Sequence, residues 1–172
     1  KRQLIPCAGL GERLGKLTNN VNKALVSLGH KPLISIIIEK FDPKTKFVIA
    51  LGYKGYILKE YIDLIYPNLD ITYVQVPVFH GKKSSLGVTI LECEKHLQEP
   101  FIFWACDAII DDKVPTTSQN WIGVSNKQTS VMNYRSVKPN ENVLTKIFEK
   151  ENKSKGMFPH SRKSCISPLG HM

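Results

Sequence analysis

A chain of 172 residues suits one domain, and at this size roughly 70% of the unfolded surface is buried on folding, so neither a disulfide staple nor a structural metal is required. A composition of 42% hydrophobic and 23% charged residues with ordinary glycine and proline excludes disordered, collagen-like and coiled-coil chains. The net charge of +9 is unevenly placed: residues 1–31 carry Lys1, Arg2, Arg13, Lys16, Lys23 and Lys31 against Glu12 alone, residues 146–172 are basic again, and the middle is balanced, a pattern that suits a polyanion site where the two ends converge.

Leu4–Cys7 reads as a short buried strand, followed by the glycine-rich loop Ala8-Gly9-Leu10-Gly11-Glu12-Arg13-Leu14-Gly15. Ala24–Leu28 is a second apolar stretch. Pro32, at the first helical position that proline favours, starts a helix through Leu33, Ile36, Ile37 and Phe41. Lys46–Leu51 is a strand, and Gly55 opens a helix whose apolar positions Ile57, Leu58, Tyr61, Ile62 and Ile65 share one face. Ile71–Val76 alternates as a strand, and Ser84 or Ser85 caps a helix carrying Leu86, Ile90, Leu91 and Leu97. Phe101–Cys106 is an apolar run of strand length that ends at Asp107; Val131–Tyr134 and Val143–Phe148 are further strands. Strands alternating with helices predict an α/β fold, a three-layer sandwich with a mostly parallel, Rossmann-like central sheet. Residues 1–156 form the expected domain and 157–172 an irregular tail.

No apolar run near a terminus approaches the ~20 residues of a membrane span. No basic-then-apolar leader opens the chain, so a cytoplasmic protein without a membrane partner is expected. The four dispersed cysteines, Cys7, Cys93, Cys106 and Cys165, then read as reduced thiols, and their spacings do not suit zinc. No cluster of cations interleaved with aromatics marks a nucleic-acid groove, so none is expected to bind.

A glycine loop after the first strand of such a sheet is a phosphate site, because glycines let backbone N–H groups close on oxygens. The dinucleotide fingerprint needs glycine at 14, where Leu14 stands. The P-loop needs glycine at 10 and Ser or Thr at 17, which are Leu10 and Leu17. Both patterns fail at required positions. What remains is Gly9-x-Gly11-x-Arg13-Leu14, then Thr18, Lys23-Ala24-Leu25 and Lys31-Pro32-Leu33-Ile34. This resembles the signature of the sugar-1-phosphate nucleotidyltransferases. Gly52-Tyr53-Lys54-Gly55 with Ile57, Glu60 and Tyr61 is similar to that family's second helix, Phe101–Asp107 to its strand ending in a metal-binding aspartate, and Ile147-Phe148-Glu149-Lys150 to its element near the acceptor phosphate.

The resemblance implies Mg²⁺-dependent nucleotidyl transfer: a phosphomonoester oxygen attacks the α-phosphorus of a nucleoside triphosphate and pyrophosphate leaves. It implies that Ala8, Gly9 and Gly11 hold the nucleotide through their backbone, that Arg13 and Lys23 clamp the β- and γ-phosphates, that Asp107 ligates Mg²⁺, and that Lys150 holds the acceptor's phosphate. Gln75 and Ser85 are candidate base contacts. The partners are then a nucleoside triphosphate and a phosphorylated small molecule, and a homo-oligomer is compatible with this. Each residue has a plainer alternative: a tight turn for the glycines, surface charge for Arg13, Lys23 and Lys150, a turn cap for Asp107, a helix cap for Ser85, an outward strand position for Gln75.

The chain departs from the family pattern at three places. Asn22 stands where proline is usual, Ser85 where glycine is commoner, and Lys82-Lys83 is an addition to the base-contact loop. The family usually runs well beyond 172 residues with a second acid, and residues 157–172 hold no Asp or Glu. Two further readings therefore stand beside the sugar-1-phosphate one: a cytidylyltransferase for a choline or polyol phosphate, and a non-catalytic nucleotide-binding regulatory domain.

Overall fold

A computed structural model describes residues 1–124 and the backbone of strands at 136–140, 143–148 and 165–166. Inter-residue contacts divide the chain into two compact units, Lys1–Ile110 and Asp111–Met172.

The first unit is built on a four-stranded sheet. Arg2–Cys7 forms β1, Ser27–Leu28 and Lys31–Pro32 the short antiparallel pair β2 and β3, Leu33–Ile38 helix α1, and Lys46–Leu51 β4. Gly55–Ile65 follows as α2, Ile71–Gln75 as β5, Leu86–Glu92 as α3 and Phe101–Phe103 as β6. Strand order is β5-β4-β1-β6, every pair parallel, as the alternation of strands and helices predicts.

Alternation along the strands sends successive side chains to opposite faces. On one face Leu4, Ala8, Val48, Ala50, Val74 and Val76 form a buried cluster with Cys93, and Ile90 of α3 packs against it. α2 packs at the other face, where the Cα of Gly55 comes so close to β4 that an added Cβ would lie 2.8 Å from Leu51 Cβ. Helices on both faces of the parallel sheet make three layers.

The chain lays β4 and then β5 on one side of β1, and returns to place β6 on the other. That reversal opens a crevice outside the carboxyl ends of β1 and β6, the position where open parallel sheets bind ligands.

Several element ends differ from expectation for local reasons. Pro32 stands just outside α1, with extended φ −60° and ψ 146°, and the helix stops at Ile38. Phe41 lies beyond it and stacks edge-on against Phe47 and Trp104, with centroids 6.2 and 5.3 Å away. The Ala24–Leu28 stretch is a 3-10 turn, Lys23–Leu25, followed by β2. The apolar run from Phe101 is a strand only to Phe103. Trp104 N still donates to Leu4 O (2.9 Å), but Ala108 N then donates to Ala105 O and the chain turns out of the sheet.

The second unit contains Ile122–Gly123 (β7), antiparallel to Cys165–Ile166 (β10), and the antiparallel pair Ser136–Asn140 (β8) and Val143–Phe148 (β9), whose register shifts between Lys138 and Pro139. The expected strand at 143–148 is present; the one at 131–134 lies outside the described residues. Among the described residues no helix is long and apolar enough to cross a membrane.

Candidate active site

The glycine loop leaves the carboxyl end of β1 and is shaped by close backbone approaches. Tyr53 N donates to Ala8 O (2.9 Å), and a Cβ on Gly52 would lie 2.5 Å from that oxygen and 2.8 Å from Ala8 Cα. Only a residue without a side chain lets the loop after β4 lie on the start of the glycine loop. Gly11 has φ +73°, which glycine alone adopts without strain. A Cβ there would also meet Thr18 Cγ2 at 2.9 Å and Lys23 Cβ at 3.0 Å. Thr18 Oγ1 donates to Gly11 O (3.3 Å) and Gly15 O (3.1 Å), fastening the 3-10 turn Glu12–Thr18 under the loop.

Gly9 is different. It is exposed, and nothing among the described residues lies within 4 Å of an added Cβ. Gly11 is thus required by the turn itself, whereas the space over Gly9 is open to a ligand.

Lys23 is positioned by the residue before it. Asn22 is fully buried, and its Nδ2 donates to Cys7 O at the end of β1 (2.7 Å) and to Tyr53 O after β4 (2.7 Å). Its Oδ1 accepts from Ala24 N (3.0 Å), capping the turn that carries Lys23. Lys23 Nζ then donates to Asp107 Oδ2 at 3.1 Å, beyond the end of β6. Two residues 84 positions apart thereby meet across the mouth of the β1–β6 crevice.

Two buried thiols lie beneath this pair. Cys7 stays protonated, because burial and the neighbouring Cys106 push it well above the usual thiol range. Cys106 is lowered, first by the hydrogen bond that Cys7 donates to it, and further by the Lys23 ammonium, with burial opposing. Burial works against the charge on Lys23, but Cys106 and Asp107 outweigh it and its pKa is raised. Lys23 is therefore a firm cation at neutral pH.

Arg13 and Lys16 are exposed on the turn after the glycines. Gln75 ends β5, exposed and opposite Leu51 in register, on the same sheet edge but beyond β4. Ser85 caps α3, its Oγ accepting from Val88 N at 3.1 Å. Lys150 lies outside the described residues. Ser85→Ala is expected to lower stability by about 1 kcal/mol, the usual effect of losing such a cap. Urea unfolding with and without nucleotide checks it, since a base contact adds a loss of affinity that the cap alone does not explain. Among the described residues no three His, Cys, Asp or Glu side chains cluster as a metal site.

No family model matches the sequence. Over 126 residues, 72% of the chain, it is 27% identical to the bifunctional protein GlmU of Methanococcus maripaludis, spanning 29% of that protein. Over 98 residues, 53% of the chain, it is 30% identical to the glucose-1-phosphate cytidylyltransferase of Salmonella typhimurium, spanning 38% of it. The solved structure of a UDP-glucose pyrophosphorylase complexed with UDP-glucose shares the fold, with a TM-score of 0.68 over 98% of this chain and 73% of that one, at 20% identity. The chain is similar in sequence to sugar-1-phosphate nucleotidyltransferases. It spans well under half the length of these two curated relatives.

Within the nucleotidyltransferase pattern, sequence reasoning registers Asn22 only as a departure from proline and Cys7 and Cys106 only as small apolar residues. The local signal for Asn22 is its cap to Ala24 N two residues on, a pattern asparagine favours. Its bonds to Cys7 and Tyr53, 15 and 31 positions away, have no local signature.

Proposed function

We propose that this chain transfers a nucleotidyl group from a nucleoside triphosphate to a sugar 1-phosphate, releasing pyrophosphate and yielding a nucleotide-activated sugar. The transferase domain in this reading takes in residues 1–156. The observation that carries it is the Lys23–Asp107 pair, cation and carboxylate 3.1 Å apart, with the stem of Lys23 against Gly11 of the glycine loop. Family members named for glucose 1-phosphate support a sugar phosphate over a choline or polyol phosphate as acceptor.

A phosphate oxygen of the sugar phosphate forms the new bond to the α-phosphorus, the bond from that phosphorus to the β-phosphate bridge oxygen breaks, and pyrophosphate carries away the electron pair. The protein need form no covalent bond; positioning and charge neutralisation supply the rate. Backbone N–H groups of Ala8, Gly9 and Gly11 hold the triphosphate, and Arg13 and Lys23 neutralise the β- and γ-phosphates that leave. Gln75 and the free hydroxyl proton of Ser85 face the base, and Lys150 holds the acceptor's phosphate. The half-exposed carboxylate of Asp107 fits Mg²⁺, which takes hard oxygens from one or two carboxylates and completes its shell with substrate phosphates and water. When bound, the ion would offset charge on the reacting phosphates.

The test is pyrophosphate release with α-D-glucose 1-phosphate, Mg²⁺ and each of ATP, GTP, CTP, UTP and dTTP in turn. Release that requires both the sugar phosphate and one particular triphosphate is expected; none with any of the five contradicts the reading. Gly9→Ala is a sharper probe, because the added methyl meets nothing among the described residues. It should leave the melting temperature unchanged or raise stability by about 0.4–1 kcal/mol through reduced chain entropy. It should also weaken nucleotide binding at least tenfold by titration calorimetry.

A further inference from the structure

We infer that Asn22 is the positioning residue for Lys23, doing with three hydrogen bonds what a proline ring does at the same place in the family pattern. The inference rests on the reading that Lys23 acts on the triphosphate.

Three observations converge on it. The side chain is fully buried, and both of its amide protons are used, one on Cys7 O and one on Tyr53 O. Those carbonyls belong to the ends of adjacent strands, since Cys7 pairs with Leu51 across β1 and β4 and Tyr53 follows two residues later. The amide oxygen accepts from Ala24 N, inside the turn that begins at Lys23. One planar group thus bolts the Lys23 turn to the rims of two strands, and Lys23 carries the connection on to Asp107 beyond a third. The stem of Lys23 also stands against Gly11, so a shift of this turn moves the glycine loop too.

The chemistry of the site asks for an amide. Two partners are acceptors and one is a donor, and only a side chain with two N–H donors and a carbonyl acceptor satisfies all three. Aspartate has no donor and would set a charge against two carbonyl oxygens. A shorter or apolar side chain leaves both carbonyls without this donor. Asn22 has φ −65° and ψ 144°, the φ of proline, and among the described residues its own N–H donates to no backbone carbonyl. The backbone is therefore compatible with proline, and asparagine holds that conformation by bonds across the sheet edge.

The experiment is a double-mutant cycle on the 172-residue chain with Asn22→Ala, Lys23→Ala and the pair, measured as kcat and KM for pyrophosphate release, with a thermal melt of each. Misplacing a catalytic cation by about an ångström is expected to lower kcat up to ~10²-fold, with a smaller change in KM. In the Lys23→Ala background the Asn22→Ala change should then cause almost no further loss in kcat. Equal losses in both backgrounds overturn the inference and leave the transferase reading intact. Inactivity of the unsubstituted chain overturns the transferase reading and the inference with it. If Asn22→Ala does not fold, Asn22→Pro carries the cycle. It should fold and keep kcat nearer the unsubstituted value than Lys23→Ala does; a kcat as low as that of Lys23→Ala overturns the inference.

Discussion

Lys23→Ala is expected to lower kcat/KM for nucleotidyl transfer by about 10²–10³, the loss typical when one donor aimed at developing transition-state charge is removed. The side chain is only 19% exposed, so water cannot replace the lost ammonium as it would on an open surface. The substitution also leaves Asp107 without its cation and leaves Cys106 with only the hydrogen bond from Cys7. Stability should change little. Asp107 is 40% exposed, so water can solvate the carboxylate left behind, and a pair exposed on one side is worth up to about 1 kcal/mol after screening. Activity and melting temperature should therefore separate. Lys23→Arg keeps the charge but replaces a point cation with a planar fork, so it should recover only part of the rate. Because the folded-state pKa of Lys23 is raised above its ordinary 10.5, whatever the pair adds to stability is fully present below that value. It is lost as pH rises through the higher folded-state value, and neutral-pH melts will not show the loss.

Gly52→Ala should have the opposite signature, a large effect on stability that carries activity down with it. Its added methyl would stand 2.5 Å from Ala8 O and 2.8 Å from Ala8 Cα, both backbone atoms of the segment that starts the glycine loop. A flexible side chain swings away from such an overlap at little cost, but a buried backbone has to move, and overpacking of this kind costs about 1–3 kcal/mol or more. For a chain of this length each kcal/mol lowers the melting point by roughly 2–4 °C. The shift must also strain the Tyr53 N to Ala8 O bond and the Asn22 bond to Tyr53 O. Nucleotide affinity, measured below the new melting point, should fall as well. A melt and a titration on Gly52→Ala beside Gly9→Ala separate the two glycine roles. One glycine is demanded by the protein's own backbone, the other left open for a ligand.

The parts of the fold readable from local pattern are those whose cause is local. Lys46–Leu51 is apolar over strand length, and Gly55–Ile65 presents its apolar residues on one face; both appear within a residue of expectation. The run from Phe101 continues apolar to Cys106, so its composition cannot show that pairing with β1 stops at Phe103 and that the chain turns to bring Asp107 outward. Similarly, Pro32 marks the start of α1, but where the helix ends depends on Phe41 leaving it to stack on Phe47 and Trp104. At the site, the glycine loop after the first strand points to Gly9 and Gly11, and the resemblance to the nucleotidyltransferases implies Arg13, Lys23 and Asp107. The meeting of Lys23 with Asp107 is a tertiary fact, made by strands brought side by side from distant positions. The bonds of Asn22 to Cys7 O and Tyr53 O and the meeting of the Cys7 and Cys106 thiols belong to that level, since each joins residues far apart in the chain.

The central claim is that the carboxyl edge of β1 and β6 binds a triphosphate through the glycine loop and Lys23. A thermal-shift panel of ATP, GTP, CTP, UTP and dTTP, each with and without Mg²⁺, tests it without needing the acceptor. At 100 times its Kd a ligand adds about 2.7 kcal/mol of stability. One triphosphate should raise the melting point accordingly, more strongly with Mg²⁺, and the shift should fall to about half or less in Gly9→Ala and shrink in Lys23→Ala. No shift with any of the five, or an equal shift in the Gly9→Ala chain, would contradict the account.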